Sequence, residues 1–202
     1  MEDIIKRVQE GDEIAFKQLT QSIENDLYRV AKTRLSDDDD IKDAIQNTMI
    51  ITYKNARKIK DINCFKTWMI HVLINECNKI YKKNKKNNEI FNKLIIDSGF
   101  EHHEDPIQEV NNKMSFDKLI EKLNYDEKIV LTLYYNSGLS YTQISKILKI
   151  NVNTIKSRLT RSVNKLKRYY KEVKINDSKW WIWTKIDWVF SKRPRSRYSR
   201  KN

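Results

Sequence analysis

The sequence predicts an all-α protein with two small helical domains joined by a flexible linker, and three observations lead to this prediction. Only 3 Gly and 2 Pro occur among 202 residues, and these residues are the usual breakers of helices. Apolar residues recur at intervals of three and four along most of the chain, which is typical of amphipathic helices. A polar stretch, residues 87–113, separates two such periodic regions.

The first domain, residues 1–86, begins with a predicted helix around Ile4, Ile5 and Val8. The next periodic segment has its apolar positions at Ile14, Phe16, Leu19, Ile23, Leu27, Val30, Ala31 and Leu35. The acidic run Ser36–Asp40 then provides an N-cap and negative charge for a further helix, where the helix dipole favours both. The core side of that helix is predicted to contain Ile41, Ala44, Ile45, Thr48 and Met49.

A last helix of this domain is expected from about Phe65 to Lys83, after a break at the sequence DINCF. Its buried side is predicted to contain Trp68, Met69, Val72, Leu73 and Ile80. We therefore expect Trp68 in the core, rather than stacked on nucleic acid.

The segment Lys82–Lys113 is polar, rich in Asn and interrupted by Gly99 and Pro106. This composition indicates a linker, placed at residues 87–113, with one short helix around residues 90–96. His102 and His103 lie in it without neighbouring ligands, and we expect them to be solvated. Cys64 and Cys77 fit no zinc or redox spacing and are expected to be small apolar fillers. No metal and no cofactor are predicted.

The second domain, residues 114–173, contains a helix-turn-helix pattern. Two apolar stripes precede it, at Leu119, Ile120 and Leu123 and at Ile129, Val130, Leu133 and Tyr134. Ser140 and Gln143 have the spacing of a capping box, and Asn151 is a suitable N-cap for the following helix. The inward positions of the two helices are Ile144, Ile147 and Leu148, then Ile155, Leu159, Val163 and Leu166.

The outer face of the final helix is polar and basic. Arg suits guanine, Asn suits adenine, and Lys and Ser suit phosphates, so this face is predicted to contact DNA in the major groove. Its candidate residues are Asn153, Thr154, Lys156, Ser157, Arg158, Arg161 and Lys165. The alternative is a solvated amphipathic helix that happens to be basic.

The distribution of charge supports nucleic acid as a partner. The net charge is +13, and the two basic blocks, residues 51–86 and 127–173, each contain ten basic and two acidic residues. An acidic stretch separates them, which suits two nucleic-acid contacts made by one chain. The acidic N-terminus lacks an apolar signal core and no run of about 18 apolar residues exists, so we expect a cytoplasmic protein.

Two sequence matches, in the right order, resemble bacterial RNA polymerase sigma factors of the small extracytoplasmic-function type. DIKDAIQNTMI (Asp40–Ile50) with FKTWMIHVLINECNKIYKK (Phe65–Lys83) is similar to their second conserved region. YTQISKILKINVNTIKSRLTRSVNKLK (Tyr141–Lys167) is similar to their fourth region. Three positions depart from the family pattern: Lys149 replaces a frequent Gly at the corner, Lys79 a common acidic residue, and Leu73 a small one.

The resemblance implies functions for three groups of residues. The outer face that docks on the clamp coiled coil of polymerase corresponds to Asp43, Gln46, Asn47 and Ile50. The surface that holds the melted strand of the downstream (minus-ten) promoter element corresponds to His71, Asn75, Lys79 and Lys82. The pocket for a flipped base corresponds to Asp61, Ile62 and Asn63. The helix from Val152 would then contact the upstream (minus-thirty-five) element.

Residues 174–202 lie beyond the usual end of the family. The segment Ser178–Asn202 is rich in Trp and then in Arg and Lys. Such a segment suits packing on the second domain or docking on a partner such as an inhibitor. It also suits contact with a membrane surface, which we favour less, and an unselected extension is a further alternative.

The sequence therefore predicts a sigma factor that binds core RNA polymerase and promoter DNA and assists strand opening, with an anti-sigma factor as a further partner. No paired carboxylates, nucleophile–base set or Gly-rich phosphate loop is found, so no catalytic site is predicted. The alternative is a helix-turn-helix transcriptional regulator that acts without polymerase. That alternative explains residues 140–167 but not residues 40–83.

Overall fold

The computed structural model describes residues 2–59, 61, 64–98 and 120–172. Over these residues the regular secondary structure is entirely helical, as predicted, and includes seven α-helices and one short 3₁₀-helix. The α-helices are α1 (Glu2–Glu10), α2 (Glu13–Lys32), α3 (Asp38–Asn55), α4 (Phe65–Ser98), α5 (Tyr125–Tyr135), α6 (Tyr141–Leu148) and α7 (Val152–Glu172). The 3₁₀-helix, Ala56–Lys58, follows α3 directly.

Helices α2, α3 and α4 pack against one another, and α1 packs on α2. The buried side of α2 follows the predicted stripe with one exception. Ile14 is 68% exposed, whereas Ala15 is fully buried. The stripe advances in steps of four from Ala15 through Leu19 and Ile23, so Ile14 lies beside it in the first turn. The expectation that Ile14 faces the core is wrong.

Acidic caps fix the beginnings of α2 and α3. Asp37 accepts hydrogen bonds from the backbone N–H groups of Asp39 and Asp40, both at 3.0 Å, which confirms the cap predicted in the acidic run. Asp12 caps α2 by accepting from Ala15 N at 2.9 Å. This hydrogen bond, with a further one from the Arg7 guanidinium, lowers the pKa of the Asp12 carboxyl. Ionised carboxylates at these positions also complement the helix dipole.

Helix α4 is longer than predicted. It continues without a break to Ser98, so its expected end near Lys83 is wrong, and the short helix expected around residues 90–96 is part of α4. The polar composition resembles a linker, but it contains no Gly or Pro before Gly99. A tertiary contact also supports the extension, because Asn84 Nδ2 donates to Asp40 Oδ2 at 2.6 Å. Residues 99–113, with His102 and His103, lie outside the described residues.

The second domain consists of α5, α6 and α7, each in contact with the other two. Ser140 and Gln143 form the predicted capping box at the start of α6, and Asn124 with Glu127 forms a second one at α5. The inward positions of α7 are buried as expected, at Ile155, Leu159, Val163 and Leu166. Ile144 and Ile147 of α6 are buried too, and Leu148 packs partly against the same core.

The two domains contact each other through α4 with α6 and through α2 with α5.

The two cysteines differ in environment. Cys77 is buried in the first domain, as expected, and burial raises the pKa of its thiol to about 12. Cys64 is exposed, and its Sγ donates to Asp61 Oδ2 at 3.1 Å, so its expected function as an apolar filler is wrong. Among the described helices, none is long and apolar enough to cross a membrane.

Candidate nucleic-acid interface

The corner of the helix-turn-helix sets the direction of α7. Lys149 ends α6 in the left-handed conformation with φ of 54°, a region in which most non-glycine residues are disfavoured. Ser145 Oγ donates to Ile150 O at 2.6 Å across the corner. Asn151 then caps α7, because its Oδ1 accepts from Asn153 N at 2.8 Å. The predicted cap is therefore confirmed, and the corner contains local strain at Lys149.

The leading turns of α7 present a polar face to solvent. Asn153, Ser157 and Arg161 are exposed and lie four residues apart, so they follow one another along the same side of the helix. Ser157 Oγ donates to Asn153 O at 2.8 Å within the helix, so its hydroxyl is held close to the axis. Lys156 is exposed beside this line, with its ammonium 5.9 Å from the centre of the Tyr141 ring. Thr154 is half-buried.

Two of the predicted DNA-contacting cations form ion pairs within the second domain. Arg158 Nη2 lies 2.8 Å from Asp126 Oδ2, and the Arg158 side chain is only 22% exposed. Lys165 Nζ lies 2.8 Å from Glu127 Oε1, and the Glu127 side chain is 6% exposed. These two carboxylates were not predicted from the sequence. The one sequence feature that could have indicated them is their position in the first turn of α5, directly after the Asn124 cap.

The predicted downstream residues of α4 lie along two grooves. His71 and Asn75 line a cavity of about 340 Å³ between α4 and the second domain. Asn75, Lys79 and Lys82 line a neighbouring groove of about 500 Å³, opposite Ile51 of α3. Lys79 is paired with Glu76 at 2.7 Å, and Lys82 is exposed.

The loop before α4 is described only in part. Asp61 is exposed, and its carboxylate accepts from Cys64 Sγ. Ile62 and Asn63 lie outside the described residues. Trp68 is half-buried and packs against the core, with its ring 6.5 Å from that of Phe65, which agrees with the core position expected for it.

The outer face of α3 is exposed to solvent. Asp43, Gln46, Asn47 and Ile50 are all exposed, whereas Ile41, Ala44 and Thr48 on the opposite side are buried. Tyr53, which is 43% exposed, continues this face one turn beyond Ile50 and contacts Phe16 of α2, with ring centres 5.0 Å apart. Sequence reasoning missed Tyr53, although its spacing of three from Ile50 could have indicated it.

No group of three or more His, Cys, Asp or Glu side chains suited to a metal ion occurs in the described part of the chain. Basic and amide side chains on α4 and α7 suit phosphates and bases, and the mixed polar and apolar surface on α3 suits a protein partner.

Comparison with protein families gives two matches along the chain. Residues 19–87 match the model described as sigma-70 region 2. Residues 113–166 match the model described as sigma-70, region 4. The first match includes the exposed face of α3 and the groove-lining residues of α4, and the second includes the helix-turn-helix.

Two curated relatives illustrate the similarity in sequence. The ECF RNA polymerase sigma-E factor of Haemophilus influenzae (strain Rd) is 27% identical over 169 residues, which cover 79% of this chain and 89% of that protein. The ECF RNA polymerase sigma-E factor of Escherichia coli (strain K12) is 24% identical over 170 residues, which cover 79% of this chain and 88% of that protein.

Two solved structures share the fold. CnrH in complex with the cytosolic domain of CnrY superposes with a TM-score of 0.59 at 16% identity, over 85% of this chain and 97% of that chain. The sigma factor RpoE in complex with the anti-sigma factor NepR from Bartonella quintana superposes with a TM-score of 0.57 at 24% identity, over 79% of this chain and 98% of that chain.

Proposed function

Since the chain belongs to the extracytoplasmic-function group of sigma-70 factors and functions in transcription initiation, we propose how its surfaces divide that work. The outer face of α3 binds core RNA polymerase. The outer face of α7 contacts the upstream promoter element, and α4 with its preceding loop holds the melted downstream element. The observation that carries this proposal is the exposure of three separate polar faces on two linked helical units.

The α3 face has the chemistry of a reversible protein interface. It combines the Asp43 carboxylate, two side-chain amides and the apolar Ile50, which is 45% exposed. Tyr53 extends the apolar part, and aromatic residues are enriched at such interfaces. The polar rim confers specificity while the apolar centre contributes affinity.

The α7 face has the chemistry of a major-groove contact. Asn153 and Arg161 provide an amide and a guanidinium that can form paired hydrogen bonds with adenine and guanine edges. Lys156 and Ser157 suit phosphates. Arg158 would have to exchange its Asp126 partner for DNA, so we assign the larger contribution to Arg161. Within the described residues, Arg161 has no carboxylate partner.

The α4 surface has the chemistry of a single-strand contact. Unpaired bases expose their edges, which amides such as Asn75 can bind, and their phosphates attract Lys82. Asp61 begins the loop that would hold a flipped base, together with Ile62 and Asn63. Trapping one base outside the stack stabilises the melted state, so α4 assists opening without catalysis.

We further propose that the chain makes and breaks no covalent bond itself, and that it acts in the cytoplasm as a specificity subunit of the polymerase. One structural relative was solved in complex with an anti-sigma factor. By analogy, an anti-sigma factor is a further partner of this chain. A membrane function for residues 178–202, which lie outside the described residues, is not part of this proposal.

Run-off transcription tests the proposal. The purified chain is mixed with core polymerase that lacks any sigma subunit, on a library of promoter fragments. We expect transcripts from a defined subset of the fragments, and none without the chain. Sequence-specific binding of the chain to duplex DNA without polymerase, accompanied by no transcript from any template, would instead support the helix-turn-helix regulator.

A further inference from the structure

The loop before α4 is anchored to α1. Gln9 Nε2 donates to the backbone carbonyl oxygen of Ile59 at 2.6 Å, across 50 positions of sequence. The backbone N–H of Ile59 donates to Ala56 O at 3.2 Å, so both polar backbone groups of Ile59 have partners. The Ile59 side chain is half-buried and packs against the core. The chain therefore leaves the 3₁₀-helix from a fixed point, and one of the groups that fix it belongs to α1.

The corner between α1 and α2 packs closely on the same 3₁₀-helix. Arg57 Nη2 donates to Glu10 O at 3.4 Å. Gly11 has a φ of 96°, and a β-carbon at this position would lie only 2.6 Å from the same Nη2. Glycine thus allows both the positive φ and the close approach of the guanidinium. Together with the Gln9 contact, these interactions hold the beginning of the loop against α1.

Asp61 lies between two anchored points of this loop. It follows Ile59 by two residues, and two residues of extended chain span at most about 7 Å. On its other side, Cys64 N donates to Asp61 O at 3.0 Å, and Cys64 Sγ donates to Asp61 Oδ2 at 3.1 Å. Phe65, which begins α4, is buried, so Cys64 is bonded to a fixed residue. A displacement of Ile59 must therefore move Asp61 or break its contacts with Cys64.

Anchoring of this kind matters for a loop that binds a ligand. A side chain that is already held in its binding position loses less conformational entropy on binding than a side chain on a free loop. Residues that hold the loop therefore contribute to affinity and specificity without touching the ligand. Gln9 suits this function because its half-buried side chain bonds a backbone carbonyl, so the contact fixes the path of the chain itself.

We propose that Gln9 is a positioning residue for the melted promoter strand: by holding Ile59, it places the exposed carboxylate of Asp61 for contact with an unpaired base. Helix α1 then contributes to selection of the downstream element without contacting DNA. This inference rests on the proposed function for the identity of the ligand, but the anchoring itself can be tested without DNA or polymerase.

The first experiment uses the thiols of the chain to follow the loop. Cys64 is exposed, whereas Cys77 is buried and the pKa of its thiol is raised to about 12, so Ellman's reagent should react with Cys64 first. The hydrogen bond to Asp61 raises the pKa of the Cys64 thiol and slows this reaction, because the thiolate is the nucleophile. Gln9→Met keeps the length of the side chain and removes the donor. We expect the Cys64 rate to rise about threefold, the order expected for loss of one hydrogen bond.

Two further variants make this result specific. Asp61→Asn removes the carboxylate beside the thiol and should raise the rate by itself. In the double variant with Gln9→Met the two increases should not multiply, because both act on the same contact. Gln18→Met is the matched control, since it removes an exposed amide on α2 and should leave the rate unchanged.

Circular dichroism of each variant confirms that the helices are retained. An unchanged rate in Gln9→Met, an equal rise in Gln18→Met, or full multiplication of the two increases refutes the anchoring. Gln9→Glu places a second acceptor against the Ile59 carbonyl, so its effect should exceed that of Gln9→Met. A smaller effect for Gln9→Glu would contradict the hydrogen bond as the cause.

The second experiment measures selection of the melted element by run-off transcription with core polymerase. Promoters are varied one base at a time, and the position at which Asp61→Ala loses discrimination between bases is identified. At that position Gln9→Met should lower the ratio of transcripts from the best and the worst base about threefold. Discrimination within the upstream element should stay unchanged.

A merely structural function for Gln9 gives a different result. It would lower transcription equally from every promoter, and that outcome would overturn the proposal, as would the absence of any position that responds to Asp61→Ala. If the parent chain gives no transcript from any template, the proposed function fails, while the thiol rates still decide whether Gln9 anchors the loop.

Discussion

Helices α3 and α7 are both amphipathic, but the charged residues on their outer faces differ in the ion pairs that they form. Both bury one apolar stripe and expose a polar face. On α3, the exposed Asp43 has no ion pair within the described residues. On α7, Arg158 and Lys165 are each paired with a carboxylate at the start of α5. Two cations of α7 are therefore paired across the second domain, whereas the ion pair of α3 among the described residues, between Lys42 and Asp39, lies within the helix itself.

The largest expected effect is on the stability of the second domain, through Glu127. This nearly buried carboxylate binds Lys165 and also accepts from Asn124 N in the capping box. Glu127→Ala removes both interactions and leaves Lys165 unpaired. We expect a loss of about 2–4 kcal/mol in the free energy of unfolding, measured by urea denaturation followed by circular dichroism.

Asp126→Ala is the matched control for this variant. The Asp126 carboxylate is 52% exposed, and an exposed ion pair contributes about 0–1 kcal/mol. Equal losses of stability for Glu127→Ala and Asp126→Ala would contradict the expectation that the buried carboxylate contributes more to stability than the exposed one.

The second prediction separates the two arginines of α7. Arg161→Ala should weaken upstream-element binding by about 1–3 kcal/mol, the cost of one base contact, measured with holoenzyme on promoter fragments. Arg158→Ala should cost less than Arg161→Ala, because Asp126 competes with DNA for that side chain. A mutated upstream element is the control, since the loss from Arg161→Ala should be much smaller there. A larger loss for Arg158→Ala than for Arg161→Ala would reverse our assignment.

The third prediction concerns the α3 face. Asp43→Arg reverses a charge at the centre of the proposed polymerase interface and should weaken binding to core enzyme at least about tenfold, because like or unpaired charges at an interface are costly. Fluorescence anisotropy with labelled chain measures this affinity. Glu24→Arg reverses an exposed charge on α2 and should have little effect. Unchanged affinity for Asp43→Arg would remove α3 from the interface.

The comparison of α3 and α7 also indicates what sequence alone could predict. Periodicity correctly placed the buried stripes of both helices, because burial repeats with the helical turn. The caps at Ser140 and Asn151 could also be predicted from the sequence, because capping depends on residues a few positions apart. Ion-pair partners on different helices could not be predicted from the sequence. Arg158 and Asp126, for example, are 32 positions apart and meet only after α5 packs on α7.

Other differences from the sequence prediction have local causes. The polar, Asn-rich composition predicted a linker where the backbone remains helical. Helix α4 continues through this sequence because no Gly or Pro stops it before Gly99. The stacking of the Arg34 guanidinium on the Tyr81 and Tyr125 rings could not be predicted either, because contacts between residues far apart in the sequence have no periodic signal. The α4 surface proposed to bind the melted strand was assigned by family resemblance, but its position opposite the second domain was not predicted.

The smallest expected effect concerns how the two helices begin. Helix α3 follows an unstrained cap at Asp37, whereas α7 follows Lys149 in the left-handed conformation. Glycine adopts this conformation without strain but loses more backbone entropy on folding. Lys149→Gly should therefore raise the free energy of unfolding by about 0.5–1 kcal/mol, measured by urea denaturation. Lys149→Ala removes the charge and keeps the β-carbon, so it should change stability little. If Lys149→Ala raises the free energy of unfolding as much as Lys149→Gly does, the cause is the charge of Lys149 rather than backbone strain.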